Sequence, residues 1–311
     1  MEYVRRAVID VGTNSIKLLV ADVSGREVRP IHEESRQTRL GQGFYETRQL
    51  QPESVARTAE AVWEFGEIAR EKHAAAIRVI ATSAARDAVN PQDLTNAIER
   101  ASGLRTEIIS GAREAEWAYQ GAATDAKLAR RPLLLLDVGG GSTEFILGHG
   151  PQMQFAHSFP LGTVRLLEQF PHSDPPKKAE FKAGRDWVGN FLQHQVRPEL
   201  EPALKHEPAE IQLVGTGGTT SILARIEKQL DSFDREQIES TVLTFEQVAA
   251  HRKQLWCLPL AKRRAIVGMP RQRADVILTG VLIYEAVMEE FGFEALQVST
   301  RGLRFAAVMD A

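Results

Sequence analysis

Two runs in this chain, Asp10-Val11-Gly12-Thr13-Asn14-Ser15 and Asp137-Val138-Gly139-Gly140-Gly141-Ser142, share the pattern D-V-G-x-x-S. Each follows an apolar run and precedes another. Glycine lets backbone N–H groups converge on a phosphate oxygen, and hydroxyl side chains add donors. The phosphate-binding candidates are therefore Thr13, Asn14 and Ser15 in the first turn and Gly140, Gly141 and Ser142 in the second. A third glycine-rich turn, Gly215-Thr216-Gly217-Gly218-Thr219, adds Gly217, Gly218 and Thr219. Any one of these also reads as a tight turn and nothing more; three together, two with an aspartate at the same offset, favour phosphate. Asp10 and Asp137 end buried strands, where oxygen ligands suit Mg²⁺, a cation that takes one or two carboxylates plus water and substrate phosphate. Turn formation is the other reading of an aspartate there, and the duplication weakens it for the pair. None of the loops fits G-x-x-x-x-G-K-[ST], which excludes a P-loop NTPase.

The elements that must hold these turns follow from local pattern. Ala7-Val8-Ile9 and Ile16 to Val20 flank the first turn, and Leu133 to Asp137 and Phe145-Ile146-Leu147 flank the second, so each reads as a β-hairpin. The offset between the hairpins is 127 residues (137 − 10), too long for a solenoid repeat and suited to two related domains. Pro52 opens a helix to about His73 with Val55, Ala59, Val62, Phe65 and Ile68 at helical spacing. Ile77 to Ala81 is a strand. Asn90-Pro91 predicts an N-cap and first-turn proline for a helix through Ala101. Ile108-Ile109 ends a strand, and Ser110 caps a helix carrying Glu114, Trp117, Ala118 and Gly121. Ile211 to Val214 is a strand, Thr244-Phe245-Glu246-Gln247 a capping box, Arg273 to Phe291 a long buried helix, and Pro171 to Lys178 a connector. Strands alternating with helices in two halves predict an α/β fold of two similar domains around an interdomain cleft.

Bulk properties narrow the function. The chain has 311 residues, 43% hydrophobic and 25% charged, with a formal net charge of −3. Its length gives two domains as the expectation, and its composition is that of a soluble globular protein. The absence of a basic excess argues against a general nucleic-acid binder, so a polyanion site must be a local basic pocket. Cys257, the one cysteine, sits in Leu255-Trp256-Cys257-Leu258 and reads as a buried thiol. Asp10, Asn14 and Lys17 interrupt the apolar N-terminal stretch, so no signal peptide is read there, and no run approaches the roughly 20 apolar residues that span a bilayer. A cytoplasmic location is expected.

Taken together, the motifs resemble the exopolyphosphatase / guanosine pentaphosphate phosphatase (Ppx/GppA) family, in the actin, heat-shock chaperone and sugar-kinase superfamily. D-V-G-T-N-S from Asp10, A-T-S-A-A-R from Ala81, I-S-G-A-R-E-A from Ile109, D-V-G-G-G-S-T-E from Asp137, P-L-G-T-V-R from Pro160 and G-T-G-G-T from Gly215 carry the resemblance across nearly the whole chain. It implies two actin-like (ribonuclease H-like) domains, residues 1–125 with 299–311 and residues 126–298. Two departures are visible: Arg113 stands where many relatives carry an acid, and R-G-L-R-F replaces the usual G-L-R-E-G.

The resemblance further implies that Glu114 orients or deprotonates the attacking water, that Arg86 binds phosphate and stabilises transition-state charge, and that Asp10, Asp137 and Glu144 hold Mg²⁺ or another divalent cation, with K⁺ left open. Without it, Glu114 reads as a first-turn carboxylate favoured by the helix dipole, and Arg86 reads equally as a solvated helix charge. Hydrolysis of the terminal phosphate of inorganic polyphosphate is the activity implied. The alternatives are the 5′-phosphate of guanosine pentaphosphate at the same site, a polyphosphate or alarmone sensor without turnover, and a sugar or acetate kinase, disfavoured because Glu114 points to water. Neither nucleic acid nor membrane is an expected partner, and a homodimer is left open. Arg165 and Arg271 or Arg273 are candidate polyanion contacts of the second half.

Overall fold

Ala7 to Val11 are buried without a break in β1 (Val4–Val11), because helices cover both faces of its sheet. Ala7, Ile9 and Val11 pack with Val55, Ala59, Val62 and Phe65 on one face; Val8 packs with Trp117 and Phe305 on the other. β1 pairs antiparallel with β2 (Ile16–Ser24), which pairs antiparallel with β3 (Glu27–Arg36). On its other side it pairs in parallel with β4 (Ala76–Ala81), which pairs in parallel with β5 (Thr106–Ile108). The sheet order is β3-β2-β1-β4-β5. Its helices are α1 (Phe44–Thr47), α2 (Pro52–Glu71), α3 (Ser83–Asp87), α4 (Pro91–Ser102) and α5 (Gly111–Ala122).

The second sheet repeats this order. β6 (Leu133–Val138) pairs antiparallel with β7 (Thr143–His149), and β7 with β8 (Gln152–Phe159). β6 also pairs in parallel with β9 (Gln212–Thr216), while β11 (Ala295–Val298) continues the parallel run and β10 (Val242–Thr244) adds an antiparallel edge. Reading β10-β11-β9-β6-β7-β8 from the far edge, β6 to β9 and β11 stand where β1 to β5 stand in the first sheet. Its helices are α6 (Thr163–Gln169), α7 (Lys178–Phe191), α8 (Arg197–His206), α9 (Gly218–Glu227), α10 (Arg235–Glu239), α11 (Phe245–Cys257), α12 (Leu260–Arg263) and α13 (Ile277–Phe291); α14 (Leu303–Met309) closes the chain.

The computed structural model describes residues 2–311, which fall into two units: the chain up to Asp125 with Arg301–Ala311, and Ala126–Thr300. Within the first, α14 packs against α5 and the sheet through Leu303, Phe305 and Val308 beside Trp117. No helix among the described residues is long and apolar enough to cross a membrane.

Several local expectations change. The long helix begins at Ile277 rather than Arg273; Arg271–Arg273 form a separate short turn, and the Asp275 carboxylate takes the Val276 N–H at 2.9 Å. Asn90 does not cap α4 with its side chain; its amide instead bridges Leu50 N (2.8 Å), Leu50 O (3.1 Å) and Asp93. Cys257 is exposed, a correction with a simple cause: helical periodicity turns Leu255 and Trp256 inward and the next residue outward. The Thr244/Gln247 box is present, Thr244 Oγ1 accepting from Gln247 N at 3.2 Å and Gln247 Oε1 from Thr244 N at 2.8 Å.

One close approach sets how α14 docks: a Cβ on Gly121 of α5 would collide with the Gly302 carbonyl. Helix propensity alone would make Gly121→Ala stabilising by about 0.5–1 kcal/mol. The collision outweighs it, and the expected net effect is a loss of about 1–3 kcal/mol, read as a lower urea midpoint. A midpoint unchanged or raised would show that Gly302 is not held there.

Candidate active site

In the first unit, β1, β4 and β5 are parallel neighbours, so their C-terminal ends lie along one edge of the sheet, the edge where open α/β sheets collect ligands. Asp10 comes from the end of β1, Ser83 and Arg86 from the turn and helix after β4, and Glu114 from the first turn of α5 after β5. Thr82 N bonds to Val11 O at 3.2 Å and Ile109 N to Ala81 O at 3.0 Å, which ties the loops to the strand ends.

The turn after β1 closes through Gly12 N to Ser15 O at 3.0 Å. It leaves a cluster of polar atoms buried with no hydrogen-bond partner: Asp10 Oδ1, Thr13 Oγ1, Asn14 Nδ2, Ser15 Oγ and, from the next loop, Ser83 Oγ. Buried groups of this kind are rare because each is destabilising. Donors and an acceptor left open together at one sheet edge fit a phosphate ligand with its cation. Burial pushes the Asp10 carboxyl above its usual range, with the charges of Lys17 and Arg304 offsetting part of the shift.

Arg86 and Glu114 form an ion pair, Nη1 to Oε2 at 2.7 Å, with the Glu114 side chain 11% exposed and that of Arg86 21%. Arg86 Nη1 also reaches Ile109 O at 3.3 Å. Arg86 is thus no solvated helix charge. A charge-assisted hydrogen bond of this kind holds Glu114 Oε2 in place. Ser110 Oγ accepts from Arg113 N at 3.2 Å and caps the helix that presents Glu114.

Sequence reasoning missed the strap over this turn. Arg39 N bonds to Asn14 O at 3.0 Å and Gly41 N to Thr13 O at 2.8 Å, and a Cβ on Gly41 would collide with the Thr13 methyl. Gln37 donates to Asn14 Oδ1 at 3.0 Å, which commits the Asn14 amide to presenting Nδ2 as a donor. A glycine pair, Gly41 and Gly43, was the only local signal; Gln37 carried none.

The second unit builds the same turn, with Gly139 N to Ser142 O at 2.9 Å. Asp137 lies opposite Glu144 in the β6–β7 register, so both carboxylates share a face. Ser158 donates to Glu144 Oε1 at 2.7 Å. At the corresponding position of the first hairpin, Asp10 faces Lys17. In register, then, the second hairpin sets a carboxylate opposite a carboxylate where the first sets a carboxylate opposite an ammonium. Among the described residues no group of three or more His, Cys, Asp or Glu side chains converges as a metal site.

Gly140 and Gly141 are held from outside by the segment leading into α6: Val164 N bonds to Gly140 O at 2.8 Å and Arg165 Nε to Gly141 O at 2.8 Å. Arg165, a candidate polyanion contact, is therefore tied to the loop's own carbonyl. The third loop follows β9. Gly217 takes φ 95°, a left-handed conformation that favours glycine, and a Cβ there would meet Asp137 Oδ1 at 2.8 Å. Gly218 opens α9, and the Arg273 guanidinium lies against it, Nη2 being 3.3 Å from where its Cβ would stand. Burial pulls Arg273 down to about 10, and Asp275 offsets only part of that.

α13 runs behind these loops. Thr279 Oγ1 reaches Thr163 O at 2.8 Å, Gly280 admits Thr219 at a distance no Cβ would allow, and the Tyr284 hydroxyl reaches Leu136 O at 3.2 Å and Thr216 O at 3.1 Å. Burial and the Asp137 charge push the Tyr284 phenol well above its ordinary range, so it is a neutral donor at any working pH.

The model of the Ppx/GppA phosphatase family matches residues 19–310. Exopolyphosphatase 2 of Mycobacterium tuberculosis is 36% identical over 314 residues, covering 96% of each chain. Among solved structures, an exopolyphosphatase from Cytophaga hutchinsonii superposes with a TM-score of 0.86 at 29% identity, covering 97% of this chain and 96% of its own. The Aquifex aeolicus PPX-GPPA enzyme gives 0.78 at 29% identity, covering 99% and 100%.

Two expected outcomes follow from the geometry. A carboxyl raised by burial ionises first in the unfolded chain, so its contribution to stability is full at low pH and is lost as pH rises from 3.8 through the raised folded value. Asp10→Asn should therefore raise the Tm of the ligand-free protein at neutral pH in chelator, and the gap should close on acidification below about pH 4. A lower Tm at neutral pH would mean that the carboxylate is partnered. Tyr284→Phe removes the hydrogen bonds to the Leu136 and Thr216 carbonyls; stability should fall by about 0.5–1.5 kcal/mol, and KM should rise more than kcat falls because both loops loosen. Unchanged kinetics with lowered stability would leave Tyr284 a core residue only.

Proposed function

Because the chain belongs to the Ppx/GppA phosphatase family, we propose that it is a magnesium-dependent exopolyphosphatase that hydrolyses the terminal phosphate of inorganic polyphosphate, with Glu114 activating the water. The observation that carries this reading is the Glu114 side chain, buried and paired with Arg86, on the same sheet edge as the unpartnered atoms of Asp10, Thr13, Asn14, Ser15 and Ser83. The exopolyphosphatase relatives support the substrate class.

Thr13, Asn14 and Ser15 donate to oxygens of a terminal phosphate, and Gln37 keeps the Asn14 amide in the donating sense. Gly140, Gly141, Ser142, Gly217, Gly218 and Thr219 are assigned to phosphate oxygens as well. Asp10, Asp137 and Glu144 are assigned to Mg²⁺, which when bound would neutralise charge on the transferring and leaving oxygens. Glu114 accepts a proton from water as its oxygen bonds to the terminal phosphorus and the bridging P–O bond breaks. The shortened polyphosphate leaves as a weakly basic anion, so no strong general acid is needed. Arg86 orients Glu114 in the resting state, and once Glu114 is protonated the guanidinium is released to the charge that develops on phosphate.

Glu114→Gln should keep fold and substrate binding and lower kcat by roughly 10²–10⁴-fold, measured as phosphate release from polyphosphate with Mg²⁺ and with chelator. Activity within a few-fold of wild type would remove Glu114 from the mechanism, and activity indifferent to chelator would remove the metal. Guanosine pentaphosphate assayed beside polyphosphate decides which substrate the site prefers.

A further inference from the structure

The segment from Lys262 to Arg273 reads K-R-R-A-I-V-G-M-P-R-Q-R, five cations with no acidic residue among them, in a chain of net charge −3. Its path through the second unit is fixed at both ends. A Cβ on Gly268, which has φ 88°, would collide with the Arg225 and Ile226 backbone near the C-terminal end of α9, and Arg273 lies against Gly218 at that helix's N-terminal end. The stretch therefore runs back along α9, ten residues and about 15 Å long, and delivers Arg273 to the Gly217–Thr219 loop.

At its far end, α12 carries Lys262 and Arg264 into solvent on either side of Arg263. Arg263 is 1% exposed, and its Nε and Nη1 have no hydrogen-bond partner; the nearest acid, Asp174, stands 3.8 Å from Nη2. An undercompensated buried cation thus lies beneath two exposed ones. Leu260 N donates to Asp174 Oδ1 at 2.7 Å, which brings the connector with exposed Lys177 and Lys178 alongside.

We propose that this stretch is a docking track for the distal part of a polyphosphate chain, leading from the Gly217–Thr219 loop past Arg271 to Lys262 and Arg264. The proposal rests on the exopolyphosphatase reading and adds to it a basis for chain-length preference. Exposed cations in series suit a polyanion of uniform charge. Single-stranded nucleic acid would in addition want aromatic side chains interleaved for base stacking, and the segment from Lys262 to Arg273 has none.

The test is the variant carrying Lys262→Gln and Arg264→Gln, both exposed positions, assayed with tripolyphosphate and with long-chain polyphosphate. The KM for the long chain should rise about three- to tenfold, the scale expected when two exposed charges are removed, while the KM for tripolyphosphate and kcat on both stay as in wild type. The salt dependence of long-chain binding should also flatten, by about 0.7 in the log–log slope for each phosphate that the protein no longer neutralises. An equal rise on both substrates, no rise on either, or displacement of labelled polyphosphate from the wild type by an RNA oligomer as readily as by unlabelled polyphosphate would overturn the track. If the wild type releases phosphate from neither substrate, the exopolyphosphatase reading falls. Fluorescence anisotropy of labelled long-chain polyphosphate on wild type and variant then decides the track separately, unchanged affinity rejecting it.

Discussion

The active-site architecture depends on one backbone hydrogen bond made twice, glycine N–H to serine C=O across the D-V-G-x-x-S turn. Closing the turn fixes the register of each hairpin, Asp10 opposite Lys17 and Asp137 opposite Glu144. In the first hairpin it also turns the intervening side chains inward, where the backbone has no bond to offer them. Each buried polar group left without a partner destabilises by about 1–3 kcal/mol, against a whole-domain stability of about 5–15 kcal/mol. A turn that strands Thr13, Asn14 and Ser15 beside Asp10 is therefore a poor solution to folding and a good one to holding a small, multiply hydrogen-bonding anion with its cation.

The duplication is not symmetric in charge, and the asymmetry divides the chemistry. Lys17 against Asp10 gives the first hairpin an internal counterion, while the second sets Glu144 opposite Asp137, two like charges in register. The first unit alone adds the Arg86–Glu114 pair. A half-buried ion pair of this kind contributes little to stability, since desolvation offsets much of the attraction. What it does fix is position: Glu114 Oε2 is held against Arg86 Nη1 at 2.7 Å on a largely buried pair.

Much of this was legible in the sequence because the hairpins and their turns are local. Apolar runs on either side of D-V-G-x-x-S admit one reading, and Ser110 and Glu114 fall at cap and first-turn spacing. Other features come from a distance or carry no periodicity. β3 is an edge strand in which Val28 is the one buried residue, so it shows no apolar alternation. Gln37 acts on a residue 23 positions away. Nothing local separates Arg165 from a cleft arginine, because the carbonyl that holds it lies 24 residues back at Gly141. Cys257 reads as buried only if an apolar run is buried throughout, whereas a surface helix buries only a stripe.

What holds the loops still is the close packing of a second segment against each. At Gly41, Gly162 and Gly280 a second segment comes so near a phosphate loop that any side chain there would collide with it. The first loop is strapped by Arg39 and Gly41, the second by the entry to α6, and the third by α13 through Thr219. Where the contact is backbone on backbone, as at Gly162 and in the Arg39 and Gly41 N–H bonds, no rotamer can change, so groups held there are organised before any ligand arrives, the condition under which electrostatic stabilisation acts without reorganisation. On the proposed reading, loops held in this way select for phosphate as a group and not for one phosphate chain over another. Selection among substrates then falls, on that reading, to side chains that meet the substrate beyond its terminal phosphates, such as the exposed Lys262 and Arg264.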